Sequence, residues 1–143
     1  MTKEKELDSI LAFMLRADKL KEVDRTGWTI AKVDMHENVG DHSYSTALLA
    51  FLFAKEMGLD ANKCAVMALI HDINEVITGD TATRYDKSMQ TLQPDEKKHL
   101  ERQNELEMIS SLVGSGRESL EAMLSELDAK VTPEAKMVKQ VDK

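Results

Sequence analysis

The chain has 143 residues, of which 42% are hydrophobic and 31% charged, with only 6 glycines and 2 prolines. This balance predicts one soluble all-α domain over residues 1–143 and excludes a sandwich, a barrel or a disordered chain. The net charge of −7 argues against a nucleic-acid polymer or a membrane surface as partner. A single cysteine, no membrane-length apolar run and no secretory segment predict a cytoplasmic location.

The N-terminal half predicts two helices separated by a long loop. Apolar residues at helical spacing predict a first helix from about Glu4 to about Lys21. Residues Asp24 to Gly40 lack sustained periodicity and predict a long ordered loop, which is uncommon unless the loop is functional. A second helix is predicted from Gly40-Asp41 to Met57, with Gly58 ending it.

The third predicted helix carries the most informative residues. Asp60 is a good N-cap for a helix from Ala61 to about Ile77. The segment from Cys64 to Ile70 is almost wholly apolar, which indicates a buried helix and a small buried thiol at Cys64. Two polar residues, His71 and Asp72, follow it directly.

The C-terminal half predicts a loop and then further helices. After a loop from Asp80 to Gln93, Pro94 is predicted to open a fourth helix that reaches about Leu112. The charged run from Asp95 to Arg102 is interpreted as its solvated face. Gly114-Ser115-Gly116 separates it from a fifth helix that ends near Leu127. Thr132-Pro133 opens a last short helix, so we expect a single bundle of about five to six helices.

Residue types suited to a divalent metal recur along these helices. If one helix carries His71, Asp72 and Glu75, all three side chains can serve one cavity. A buried histidine and aspartate need partners, and a metal would supply them. With His42 and Asp142, two imidazoles and two carboxylates would make a mixed nitrogen and oxygen donor set typical of hydrolytic metal sites.

The ordered set of motifs resembles the HD-domain metal-dependent phosphohydrolases, and the 5′-deoxynucleotidase group most closely. The resemblance is carried by four segments: Arg25-Thr26-Gly27-Trp28, Glu37-Asn38-Val39-Gly40-Asp41-His42-Ser43, Ala68 to Asp80 with His71-Asp72 and Glu75, and Glu134 to Asp142. It implies an all-α HD domain with a divalent metal held by His42, His71, Asp72 and Asp142. It also implies that Glu75 and Asp72 are catalytic residues and that Glu75 handles the proton of the attacking water.

The resemblance also implies substrate contacts. Arg25 would bind a phosphate through its forked donors, Trp28 would pack against sugar or base, and Asp80 would accept from a sugar hydroxyl. The alternatives are a surface salt bridge for Arg25, a core plug for Trp28 and a turn or cap role for Asp80. Four residues just downstream would surround an anion if their loop folds over the site: Thr81, Thr83, Arg84 and Lys87.

The function implied is hydrolysis of deoxyribonucleoside 5′-monophosphates to deoxynucleoside and phosphate. Two alternatives stay open: a phosphodiesterase or pyrophosphohydrolase of the same superfamily that acts on a signalling nucleotide or a triphosphate, and a non-catalytic module that binds metal or nucleotide. The donor set is compatible with Mn, Co, Fe, Zn, Ni or Mg. The expected partners are a small-molecule nucleotide and a second copy in a homodimer.

The position of the last donor is a departure from the resemblance. Similar proteins continue with further helix after the final aspartate, whereas this sequence ends at Lys143, one residue beyond Asp142. Terminal residues lose order unless they are tied down. The expectations are therefore a tail anchored by the metal, a polypeptide shortened relative to the family, or a site completed by a partner subunit.

Overall fold

A computed structural model describes residues 1–80 and 92–143, and this part of the chain is helical. In chain order its elements are α1 (Lys3–Ala17), a 3-10 helix (Asp18–Glu22), α2 (Thr26–Ile30), α3 (Val39–Met57), α4 (Ala61–Ile70), α5 (Glu75–Thr78), α6 (Pro94–Ile109), α7 (Ser115–Ala129) and α8 (Pro133–Val141). The all-α prediction is confirmed. Extended pairing among the described residues is limited to an isolated bridge between Asp24 and Asn38. None of the described helices is long and apolar enough to cross a membrane.

The ends of the long helices follow local capping signals. The Asn38 side chain accepts from the backbone N–H of Asp41, whose carboxylate accepts from the N–H of Asn38, and this capping box opens α3. Gly58 ends α3 in the left-handed conformation, with φ of 69°. The Asp60 side chain caps α4, and the Thr132 hydroxyl caps α8. These predicted boundaries are confirmed.

The largest differences from the sequence prediction lie in two regions. The third helix does not run on to Ile77, because α4 ends at Ile70 and the chain tightens through His71–Asn74 before α5. There the backbone makes i to i+3 bonds, from the N–H of Ile73 to the carbonyl of Ile70 at 3.1 Å and from the N–H of Glu75 to that of Asp72 at 3.0 Å. The predicted loop from Asp24 to Gly40 also contains the short helix α2.

Among the described residues, the core consists of two groups of buried side chains. The first joins α3, α4 and α8 through small residues, which permit close helix packing: Ala47, Ala50 and Ala54 of α3, Ala61, Cys64 and Ala68 of α4, and Val138 of α8. The second packs α1, α4, α6 and α7 around Met108, Ile109 and Leu124. Cys64 is fully buried, as predicted, and burial raises the pKa of its thiol.

Helix α8 is held by its apolar face. Ala135 and Val138 are fully buried, and Met137 is 9% exposed. Burial of these side chains fixes the direction of α8 across α3 and α4 by the hydrophobic effect. Its C-cap residue, Asp142, therefore lies between the first turn of α3 and the end of α4.

Candidate metal centre and substrate cleft

Four side chains from three parts of the fold converge at one point. His42 lies in the first turns of α3, His71 caps the end of α4 with Asp72 beside it, and Asp142 caps the end of α8. One potential donor atom from each of the four lies within 4.8 Å of the other three. The structure brings these four predicted residues together, with His71 and Asp72 in a turn and not in a continuous helix.

The shortest distances within this group involve Asp142 and His71. Oδ1 of Asp142 lies 2.9 Å from Nε2 of His42 and 2.9 Å from Nε2 of His71. Nε2 of His71 also lies 3.0 Å from Oδ2 of Asp72. Both histidines therefore direct the same ring nitrogen at carboxylate oxygens.

A contact with the backbone orients the ring of His71. Its Nδ1 lies 2.6 Å from the backbone carbonyl of Ala68, which can only accept, so Nδ1 carries a proton. In the neutral ring the lone pair of Nε2 is then available to a cation placed among the donors. This second hydrogen bond is the usual way in which a metal-binding histidine is fixed in one tautomer.

Without a bound metal, protonation of His71 offsets the negative charges of the two carboxylates. Burial of His71 would lower its pKa, but the hydrogen bonds and charges of Asp142 and Asp72 prevail and raise it to about 10. Burial would raise the pKa of both carboxyl groups, but contact with the histidines holds each below its usual value. The pocket therefore stabilises a positive charge at this point.

The donor set fits a divalent metal. Metal–donor bonds of about 2.1 Å place neighbouring donors about 3 Å apart and opposite donors about 4 Å apart. The observed separations start at 2.9 Å and stay within 4.8 Å, so small shifts of the side chains would bring all four donor atoms to one ion. Two imidazoles and two carboxylates suit a first-row transition metal that keeps open positions for water or substrate.

Glu75 lies beside this group at the start of α5. Its Oε2 is buried and has no hydrogen-bond partner among the described residues. Burial, reinforced by the negative charges of Asp72 and Asp80, raises the pKa of Glu75 to about 9. This carboxyl group is thus poised to exchange a proton within the site.

A cleft of about 950 Å³ is lined by three of the four donors, His42, Asp72 and Asp142. Its lining includes nearly all of the residues predicted to act in catalysis and binding: Arg25, Trp28, His42, Asp72, Glu75, Asp80 and Asp142. His71 instead borders a small polar cavity of about 80 Å³ behind the donors. The cleft volume is in the range of sites that accept a nucleotide-sized molecule.

The three predicted substrate residues lie on one side of the cleft. Arg25 places Nε 3.8 Å from Glu37 and a terminal nitrogen 3.9 Å from Asp72. Trp28 is 44% exposed, so it does not plug the core. Oδ2 of Asp80 accepts from the backbone N–H of Thr26 at 2.7 Å, so the alternative capping role of Asp80 is also realised, at the start of α2. Thr81, Thr83, Arg84 and Lys87 lie outside the described residues.

The structure adds residues that sequence reasoning passed over. Lys97 and Glu101 of α6 line the cleft, so the charged run from Asp95 to Arg102 is not solely a solvated face. Lys139 lines both the cleft and the smaller cavity. It lies one helical turn before Asp142, and that spacing was the available signal. Glu37 contacts three residues of the site.

Comparison with known proteins gives matches over nearly the whole chain. A family model described as HD domain matches residues 17–143. The chain is 31% identical over 137 residues to the 5′-deoxynucleotidase HDDC2 of Danio rerio, an alignment that covers 95% of this chain and 65% of that protein. It is 34% identical over 135 residues to the human 5′-deoxynucleotidase HDDC2, which covers 94% of this chain and 63% of that protein. The chain thus spans less than two thirds of the length of these curated relatives.

Solved structures share the fold. A predicted metal-dependent phosphohydrolase from Magnetospirillum magnetotacticum aligns with a TM-score of 0.78 and 26% identity, covering 99% of this chain and 69% of that one. A conserved hypothetical protein from Pyrococcus furiosus aligns with a TM-score of 0.74 and 29% identity, covering 92% of this chain and 74% of that one.

Proposed function

The chain belongs to the HD domain family, and from this premise we propose that it is a metal-dependent phosphomonoesterase that hydrolyses deoxyribonucleoside 5′-monophosphates. The observation that carries the proposal is the convergence of the candidate metal donors, Glu75 and Arg25 on one cleft. The names of the curated relatives, 5′-deoxynucleotidases, support this substrate class.

The proposed ligands are His42, His71, Asp72 and Asp142. A divalent ion bound to them would supply Lewis acidity, which polarises a phosphate and lowers the pKa of water. Mn, Co, Fe, Zn, Ni and Mg are all compatible with the donor set. Asp72 also contacts Arg25, at 3.9 Å, and thereby places the phosphate-binding side chain next to the metal donors.

The other residues of the cleft would bind the substrate and move the proton. Arg25 would hold the phosphate with its guanidinium donors, and Trp28 would offer its exposed ring face to sugar or base. Asp80 would accept from a sugar hydroxyl while it holds the start of α2. Glu75 would take the proton from the attacking water, because its carboxyl group lines the cleft with Asp72 and its buried Oε2 has no hydrogen-bond partner among the described residues.

The test is phosphate release by chelated protein resupplied separately with manganese, cobalt, zinc or magnesium. The substrates are a panel of deoxy- and ribonucleoside 5′-monophosphates. We expect metal-dependent release of orthophosphate that favours the deoxy substrates. Release only from a diester or a triphosphate would favour the phosphodiesterase or pyrophosphohydrolase alternative, and nucleotide binding without release under any metal would favour a non-catalytic module.

Metal binding is expected to release protons and to tighten as pH rises. The pKa of His71 is raised to about 10 in the metal-free chain, so its ring is protonated at neutral pH and must lose that proton to become a ligand. Affinity should therefore increase from pH 6 towards pH 9. Titration calorimetry in buffers of different ionisation enthalpy counts the protons, and an affinity for Mn²⁺ independent of pH across this interval would contradict the ligand role of His71.

We further propose a homodimer in a cytoplasmic compartment. Exposed apolar side chains on α3 support self-association: Leu48, Leu52 and Phe53 are each more than half exposed, at 51, 53 and 52%. The single, fully buried Cys64 suits a reducing compartment. Light scattering of the purified chain tests the oligomeric state, and a monomer at micromolar concentration would contradict it.

A further inference from the structure

One oxygen of Glu37 contacts three nitrogen atoms of the candidate site. Nε1–H of Trp28 donates to Oε1 at 3.4 Å, and the same oxygen lies 3.8 Å from Nε of Arg25 and 3.7 Å from Nδ1 of His42. The Glu37 side chain lines the cleft and is 33% exposed. Each contacted nitrogen belongs to a residue that the proposed function assigns to metal or substrate binding.

Local structure explains why Glu37 reaches these groups. Asn38 is the N-cap of α3, so Glu37 precedes the cap and His42 is the fourth residue of the helix. Side chains at these two positions face each other across a helix start, where a pair of apolar residues is common. Here the pair is a carboxylate and an imidazole. On the other side, the bridge between Asp24 and Asn38 and the bond from the N–H of Val39 to the carbonyl of Val23, at 2.8 Å, bring Arg25 alongside.

The contact with His42 affects which of its two ring nitrogens carries the proton. Nε2 of His42 lies 2.9 Å from Oδ1 of Asp142, within the donor group, so Nδ1 is on the opposite edge of the ring. A carboxylate near Nδ1 favours the tautomer that carries the proton there and leaves the lone pair on Nε2. Glu37 thus favours in His42 the same Nδ1-protonated tautomer that the Ala68 carbonyl fixes in His71, through an ion-pair contact of 3.7 Å where Ala68 makes a hydrogen bond of 2.6 Å.

The contact with Glu37 keeps Arg25 from pairing with Asp72 alone. Among the described residues Arg25 forms ion pairs with Glu37 and with Asp72. Without the Glu37 charge, Asp72 would be its remaining carboxylate partner in this part of the chain. A closer Arg25–Asp72 pair would engage a donor oxygen and withdraw the guanidinium from the cleft.

We propose that Glu37 is a positioning residue that assembles the metal-binding and substrate-binding halves of the site as one unit. It orients His42 for the metal, and it fixes Arg25 and Trp28 relative to that ligand. This inference rests on the proposed function for the roles of Arg25 and Trp28. It adds a residue whose effect is exerted through others and not by contact with the reacting atoms.

The test uses two variants and two readouts that require no substrate. Glu37→Gln keeps the shape and an acceptor oxygen but removes the charge, whereas Glu37→Ala removes both. The first readout is the Kd for Mn²⁺, measured by competition with a chelator. The second is the fluorescence anisotropy of Trp28, the sole tryptophan, in metal-free protein. Glu107→Gln is the matched control, because Glu107 is also ion-paired, with Arg16 at 3.2 Å, but lies outside the cleft.

We expect Mn²⁺ to bind about 10-fold more weakly to Glu37→Gln and up to about 100-fold more weakly to Glu37→Ala. Trp28 anisotropy should fall in Glu37→Ala and be retained in Glu37→Gln, whose amide oxygen still accepts from the indole. The control should match wild type in both measurements. Circular dichroism confirms that each variant is folded.

A Kd for Mn²⁺ within twofold of wild type in both Glu37 variants would overturn the proposal. So would an unchanged Trp28 anisotropy in Glu37→Ala, because the shared anchor would then not hold the indole. Both results are independent of catalysis. If the wild-type chain releases no phosphate from any nucleotide, the proposed function fails while the positioning role of Glu37 is still decided by these two measurements.

Discussion

Replacing Glu75 with glutamine is expected to lower turnover by about 10²- to 10⁴-fold, the range that a positioned general base contributes. The amide has nearly the same shape as the carboxyl group but cannot accept the proton of the attacking water. The loss of turnover should be specific, because the buried Oε2 of Glu75 has no hydrogen-bond partner among the described residues. The substitution therefore leaves no partner of this oxygen unsatisfied. The fold and the bound metal should therefore be retained.

The raised pKa of Glu75 is consistent with this role once a cation is present. In the metal-free chain, burial and the charges of Asp72 and Asp80 raise the pKa of Glu75 to about 9, which favours the protonated acid. A divalent cation at the neighbouring donors adds positive charge and lowers the pKa again. Metal loading would thus convert Glu75 to the carboxylate that a general base must be.

Turnover and metal content must be measured on the same Glu75→Gln sample. Glu121→Gln serves as a control, because Glu121 lies on α7, pairs with Arg117 at 4.0 Å and does not line the cleft. Full activity in Glu75→Gln would remove the assigned proton-handling role. Parallel loss of metal and turnover would instead place Glu75 among the ligands, which also contradicts the assignment.

The sequence predicted the long helices well because their ends are encoded locally. Asn38, Gly58 and Asp60 act on backbone groups within a few residues, so their effect can be inferred from sequence alone. The end of α4 at Ile70 was not predicted, because apolar residues such as Ile73 and Val76 continue the helical spacing beyond it. In the turn that follows Ile70, the His71 ring contacts the Ala68 carbonyl and Asp142. The spacing of apolar residues carries no information about either contact.

The candidate site shows the same division between local and long-range information. The donor residues were identified through the resemblance, but the meeting of His42 with Asp142 joins positions 100 residues apart. The short helix α2 was missed because its first N–H is capped by Asp80, 54 residues away. Glu37 belongs to one of the motifs that carry the resemblance, yet its proposed role depends on where Arg25 and Trp28 lie relative to it in space.

Replacing Asp142 with asparagine is expected to remove most of the stabilisation that the metal gives to the fold. A ligand present at 100 times its Kd stabilises the native state by about 2.7 kcal/mol, which corresponds to a rise in Tm on the order of 10 °C for a chain of this size. If the loss of the carboxylate weakens metal binding about 100-fold, the same metal concentration adds only about 0.4 kcal/mol. The metal-induced shift in Tm should then almost vanish.

The comparison must use that shift and not the absolute Tm of the variant. Contact with His42 and His71 holds the pKa of Asp142 below its usual value, so the carboxylate stabilises the folded chain at neutral pH and loses this effect only as pH falls through the folded-state pKa. Asp142→Asn therefore destabilises the chelated protein as well. Asp8→Asn, an equivalent change on the exposed surface of α1, controls for the substitution itself.

Calorimetry of wild type and both variants, with chelator and with Mn²⁺, separates the two contributions of Asp142. A wild-type metal shift in Asp142→Asn would mean that the other three donors are sufficient and that Asp142 serves only to hold α8 against His42 and His71. A lost shift together with a lower Tm in chelator would mean that one carboxylate both binds the metal and fixes the end of α8. Metal binding would then be coupled directly to the docking of this helix.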